Sequence, residues 1–261
     1  MKLNSLLAIL VAAIALLSGC AATSGPQGEL PTSSDQTDSQ KRARIRLQLA
    51  VGYYEQRQYP VALDEIKQAL LADPNLADAY GVRALIYMDM GEARLADENF
   101  QQAMRLNPYN PDLSNNYGWF LCQNGRMQES IQHFESALKN RSYQSPAKAL
   151  NNAGVCSLKL KDTAAAERYF ARAFQQDPGN PGVNANLARV HYERRDYERA
   201  RFYINRVIKA DVATADVLWL AIKIERKLGD RAAETSLATQ LRRRHPNSAE
   251  FVFYQRGAFD E

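Results

Sequence analysis

The chain is poor in the residues that build chemical sites. Its 261 residues include three His, three Cys and two Trp. No His/Cys/Asp grouping has zinc spacing. There is no GxxxxGK[ST] phosphate loop, no HExxH and no GxSxG. An enzyme therefore has no supporting constellation, and no cofactor or metal is expected. Thirteen Gly and ten Pro are too few for a collagen-like chain, and 46% hydrophobic residues are too many for a wholly disordered one. Long apolar runs are missing as well. Leu6–Leu17 has twelve residues, where a membrane-spanning helix needs about 20, so a polytopic membrane protein is excluded. No charge dominates: 33 basic and 29 acidic residues are interspersed and leave +4, which does not imply nucleic acid. The run Arg242-Arg243-Arg244-His245 falls at the end of a predicted helix, where the dipole favours cations. No nucleic-acid partner is expected.

What is present starts with an address. Lys2, the apolar run Leu6–Leu17 and Ser18-Gly19-Cys20 have the proportions of a signal peptide. The ending Leu17-Ser18-Gly19-Cys20 resembles the bacterial lipobox. That resemblance implies a leader over 1–19 and acylation of Cys20 as the mature N-terminus; the alternative is an ordinary signal peptide cut elsewhere. Several acyl chains on one Cys anchor firmly, because each buried CH2 contributes about 0.8 kcal/mol. Ala21 follows, where an Asp would resemble the inner-membrane retention signal. The implied location is the inner leaflet of the outer membrane, facing the periplasm. Residues 20–42 are Ser/Thr/Gly/Pro/Gln/Asp-rich over most of their length and read as a flexible tether.

From Ala43 the chain repeats every 34 residues. Ala62 and Ala96 lie 34 apart, as do Ala166 and Ala200; Pro74 and Pro108 show the same spacing. The step from Ala96 to Ala166 is 70, one repeat of 34 and one of 36, which puts a two-residue insertion near Asn140–Pro146. The period and its residues resemble the tetratricopeptide repeat, a helix–turn–helix unit. The implied fold is all-α, a right-handed solenoid of six units: 43–76, 77–110, 111–146, 147–180, 181–214 and 215–248. Position 8 of each unit (Ala50, Ala84, Gly118, Gly154, Ala188, Ile222) and position 20 (Ala62, Ala96, Ser130, Ala166, Ala200, Glu234) are small where paired helices touch. Position 24 (Ile66, Phe100, Phe134, Phe170, Ile204, Ala238) is expected to fill the gap towards the next unit, and Gly91, Gly125 and Gly229 fall in the turn between helices. Unit six departs most from the pattern. About one residue in seven is Ala, 38 in all, in keeping with close helix contacts.

The remaining features leave choices open. With Cys20 acylated, Cys122 and Cys156 on the first helices of units three and four either form a disulfide or are two small buried hydrophobes. His133, His191 and His245 occupy unrelated repeat positions and read as structural or solvated. Residues 249–261, with Phe251, Phe253, Tyr254 and Phe259, are expected to cap the last helix pair; a docking site is the alternative.

In this fold the first helices line the concave face, at positions 2, 5, 6, 9, 12 and 13. Leu47, Val51 and Tyr54 of unit one, Leu85 and Met88 of unit two and Trp119 of unit three form a candidate apolar strip. Asn116, Asn152 and Asn186 share position 6 of units three, four and five, with Asn115 and Asn151 beside the first two. Such amides can bond a bound peptide backbone from both ends, or bond each other.

Lipobox, polar tether and six units together resemble the type IV pilus biogenesis lipoproteins of the PilF/PilW family. The segments Asn115-Asn116-Tyr117-Gly118-Trp119-Phe120-Leu121-Cys122 and Ala149-Leu150-Asn151-Asn152-Ala153-Gly154-Val155-Cys156 look like that family's third and fourth units. The resemblance implies a pilotin: an outer-membrane scaffold, expected to be monomeric, that binds the pilus secretin and helps it reach the membrane and multimerise. The alternative is a lipoprotein adaptor for cell-wall hydrolases or for outer-membrane protein assembly.

Overall fold

The computed structural model describes residues 36–259. Cys20, the segment read as a leader and the tether as far as residue 35 lie outside the described residues, as do the last two residues. The described residues contain thirteen helices and no strand. They form six pairs, α1 (Asp38–Glu55) with α2 (Tyr59–Ala72), α3 (Ala77–Asp89) with α4 (Ala93–Leu106), α5 (Pro111–Gln123) with α6 (Met127–Lys139), α7 (Pro146–Lys159) with α8 (Thr163–Gln176), α9 (Pro181–Glu193) with α10 (Tyr197–Lys209) and α11 (Ala215–Leu228) with α12 (Arg231–Arg244). A short α13 (Ala249–Arg256) follows.

Each pair packs on the next through second-to-first helix contacts such as α2–α3, α4–α5 and α6–α7. First helices also touch along the row, in the pairs α3–α5, α5–α7, α7–α9 and α9–α11. This is a tetratricopeptide solenoid.

Two boundaries differ from the sequence reading. The segment 38–42, read as tether, is helical. The extra turn is held because Ala43 is fully buried and Ser39 Oγ donates to Ala72 O at 2.5 Å. The fourth unit starts at Pro146, one residue early, since Pro is tolerated in the first turn of a helix. The two extra residues lie in the 140–145 connection, where Asn140 Nδ2 bonds Tyr109 O at 3.0 Å.

Loops and caps carry the punctuation. Asn110, Asp162, Asn180, Asp196 and Asp230 accept from backbone N–H groups of α5, α8, α9, α10 and α12. The turn inside every unit has one residue with positive φ, at position 15. It is Gly in three units (Gly91, Gly125, Gly229) and Arg57, Lys161 and Arg195 in the others. Sequence alone located the three glycines; the other three turns take the same left-handed residue without one.

The core is a row of interhelical contacts. Positions 8, 20, 24 and 27 are buried in all six units. The size pattern is tighter than expected. A Cβ at Gly118 would lie 2.9 Å from a ring carbon of Phe134, and one at Gly154 only 2.4 Å from Phe170. These two position-24 rings therefore fill space inside their own unit rather than only the gap ahead of it. Phe100 does reach forward, with its ring 5.4 Å from Tyr117 and 5.5 Å from Phe120 of unit three. Cys122 and Cys156, both buried, are joined as a disulfide between α5 and α7, with Cα atoms 5.9 Å apart.

The aromatic residues after unit six pack on its core cluster. Phe253 and Phe259 lie 6.4 and 5.2 Å from the ring of Trp219, and Arg226 stacks over Phe259 at 3.8 Å. Among the basic run, Arg244 pairs with Asp211 at 2.6 Å, and His245 forms the C-cap of α12.

Candidate functional site

Five of the nine candidate partner-binding residues converge on one cleft of about 360 Å³: Tyr54, Leu85, Asn116, Trp119 and Asn152, joined by Asn115 and Lys148. They come from the first helices of units one to four, because the register positions named for the concave face recur along that row. Leu85 and Trp119 stand at position 9 of α3 and α5, and Asn116 and Asn152 at position 6 of α5 and α7. Lys148 is at position 2 of α7. Its register marked it as facing the groove, but reading for apolar and amide residues passed over it.

The other four sit elsewhere. Leu47 packs on the unit-one core and Met88 on the cluster around Phe100. Val51 is half-buried one unit before Leu85, outside the cleft lining. Asn186 donates to Asn151 Oδ1 at 3.0 Å, beyond the cleft's far edge. A register position describes a helix face. It does not say which residues of that face meet in one cleft.

The amides form a connected row. Asn152 Nδ2 donates to Asn115 Oδ1 at 3.1 Å, and Asn115 Nδ2 donates to Asn116 Oδ1 at 3.2 Å. These bonds hold Asn115 buried and orient its neighbours. Among the described residues no hydrogen bond uses Asn116 Nδ2 or Asn152 Oδ1, so the row presents one donor group and one acceptor at the cleft, as a peptide backbone does. Tyr54 closes one end. Its hydroxyl donates to Asp89 at 2.9 Å, and burial, reinforced by that carboxylate, pushes the phenol far above its ordinary range. It remains a protonated donor that ties α1 to α3. Lys148 is exposed, has no ion pair among the described residues and is the only charged residue of the lining.

The histidines serve packing. His191 is buried, its ring stacked on Tyr203 at 5.5 Å, with Nδ1 3.5 Å from Asp196. Burial holds its pKa below the usual value, against the pull of Glu167 and Asp196. His133 sits edge-on to Tyr117 at 4.7 Å and is likewise lowered by burial. His245 Nε2 lies 3.3 Å from Ala213 O. Among the described residues no group of three or more His, Cys, Asp or Glu is arranged to hold a metal ion.

The geometry offers a concave surface with an aromatic and apolar wall, an amide row and one cation. Comparison with known proteins places it in a lineage. The tetratricopeptide repeat family matches residues 82–145 and 157–221. The type IV pilus assembly protein PilF of Pseudomonas aeruginosa is 30% identical over 239 residues, which cover 92% of this chain and 93% of that protein. A crystal structure of PilW, described as a widely conserved type IV pilus biogenesis factor, superposes with a TM-score of 0.75 at 33% identity, covering 82% of this chain and 98% of that one. A structure of Pseudomonas aeruginosa PilF gives 0.79 at 28% identity, covering 85% and 100%. The chain therefore belongs to the PilF/PilW family of tetratricopeptide-repeat type IV pilus biogenesis proteins.

Proposed function

We propose that this protein is a pilotin: a non-catalytic outer-membrane lipoprotein, acylated at Cys20, that binds the type IV pilus secretin and promotes its localisation and multimerisation. The reading is carried by the cleft of units one to four in a member of a pilus biogenesis family. An extended segment of secretin lies along it. Trp119, Leu85 and the ring of Tyr54 receive apolar side chains, and each large one buried contributes about 1.5–3 kcal/mol. Asn116 and Asn152 bond the segment's backbone. The protein works as a monomeric scaffold that faces the periplasm and carries its client through the lipid anchor.

The test is secretin multimerisation in cells carrying Leu85→Asp or Trp119→Ala, with helical content checked on the purified variants. Loss of multimers with an intact fold is expected. Wild-type multimers in both variants would sink this site. Cys20→Ala should leave the fold unchanged and send the secretin to the wrong membrane.

A further inference from the structure

We propose that the open N-terminal end of the solenoid rests on an anionic lipid surface, with Lys41 and Arg42 on the headgroups and Ile45 and Leu49 in the interface. This inference rests on the reading of Cys20 as a lipid anchor.

The repeat itself singles out the face. Position 3 of the first helix is Ala79, Leu113, Ala149, Val183 and Val217 in units two to six, at most 7% exposed. In unit one it is Ile45, 57% exposed. Position 7 is buried in units three to six, whereas Leu49 is 44% exposed. These positions pack on the preceding helix pair, and unit one has none among the described residues. Lys41 and Arg42 stand four and three residues before Ile45, on the same helix face, and both are exposed without an ion pair among the described residues. The neighbouring Arg46 is different, being paired with Glu65 at 3.0 Å.

Three other occupants fit less well. Residues 21–35 contain one large apolar side chain, Leu30, so the preceding chain has no apolar stripe to lay on this face. A second copy stacked end to end would set Lys41, Arg42 and Arg44 against themselves. A partner helix would meet Gly52, which has open space around it, where units two to six place Ile86, Phe120, Cys156, Val190 and Ile224. It would gain two apolar side chains, far short of the roughly 800 Å² per partner that a stable interface takes. A lipid surface needs no matching shape. It attracts juxtamembrane basic residues, and tethering makes a weak contact sufficient by raising its effective concentration. The basic residues are on the turn of α1 nearest in sequence to Cys20, which precedes Asp38 by 18 positions.

The acylated full chain should be reconstituted into vesicles of phosphatidylethanolamine with phosphatidylglycerol, or of phosphatidylcholine alone. An environment-sensitive fluorophore at Gly52→Cys reads the face; one at the exposed Val212→Cys is the control. In phosphatidylglycerol vesicles the residue-52 probe should shift to the blue and be quenched by lipid-borne quencher at least threefold more than the residue-212 probe. Lys41→Glu with Arg42→Glu, or Ile45→Asp with Leu49→Asp, should abolish that difference while circular dichroism stays unchanged. Equal, water-like signals at both sites in floated vesicles would overturn the proposal. So would burial of the residue-52 probe that appears only when secretin is added, which would assign the face to a protein. Failure of the chain to float would instead refute the anchor.

Discussion

Units four and six build the same helix pair from opposite choices. In unit four the first helix gives way: Gly154 leaves the space that the ring of Phe170 occupies. In unit six the large residue is Ile222 on the first helix and the small one is Ala238 on the second, and both are buried. At position 20, Ala166 is fully buried, whereas Glu234 is buried but reaches Arg226 at 3.0 Å. Close packing constrains the volume shared by facing positions rather than the residue at either one. A unit that departs from the repeat pattern is thus a complete helix pair, with α11 and α12 of 14 residues each. The two units also differ in what fastens them. The disulfide ties unit four to unit three; the Phe253 and Phe259 rings cover Trp219 of unit six.

The comparison can be broken most strongly at its large residue. Phe170→Ala should destabilise the chain by about 3–5 kcal/mol through an unfilled cavity, read as a lower urea midpoint. Reducing the disulfide should remove about 3–4 kcal/mol in the chain-entropy account. Single-Trp variants would locate that loss, with the transition seen at Trp119 beside the bridge shifting more than that seen at Trp219. Gly154→Ala should lower stability by about 1–3 kcal/mol by overpacking. Adding Phe170→Leu, a step towards the large-on-first arrangement of unit six, should recover part of it, and a double-mutant cycle with no coupling would refute the shared-volume account. The turns give the smallest effects. Gly229→Ala should destabilise by about 1–2 kcal/mol, since only Gly holds the left-handed conformation without penalty. Lys161→Gly at the matching position of unit four should stabilise by a few tenths to about 1 kcal/mol, seen as a higher thermal midpoint.

Much of the fold was legible because the signals are local. Pro74, Pro108 and Pro178 fall in the connections after second helices, and Gly91, Gly125 and Gly229 in the turns, as their residue types require. The extra turn of α1 was not legible, since Ser39 and Lys41 look like tether until Ala43 is seen buried beneath them. Nor were the left-handed Arg57, Lys161 and Arg195, which hydrogen bonds closing the turn, such as Asp162 N to Ser157 O at 2.9 Å, hold in a conformation their residue type disfavours. Of the candidate site, Trp119 and Leu85 were found by being apolar at groove positions. Lys148 was missed because an exposed lysine has no signature until a cleft is seen beside it.

The sequence by itself determined the number of units, the connections between their helices and the face each residue occupies. In a solenoid every unit touches only its neighbours, so position within the period maps directly onto environment. Only the tertiary structure decided which face residues meet. The cleft joins Tyr54 to Asn152 across four units, and the Cys122–Cys156 contact spans two. Both depend on how successive helix pairs rotate against one another. That rotation is set by the sizes of side chains interleaved between units, such as Phe100 against Tyr117 and Phe120, and a 34-residue period does not encode it.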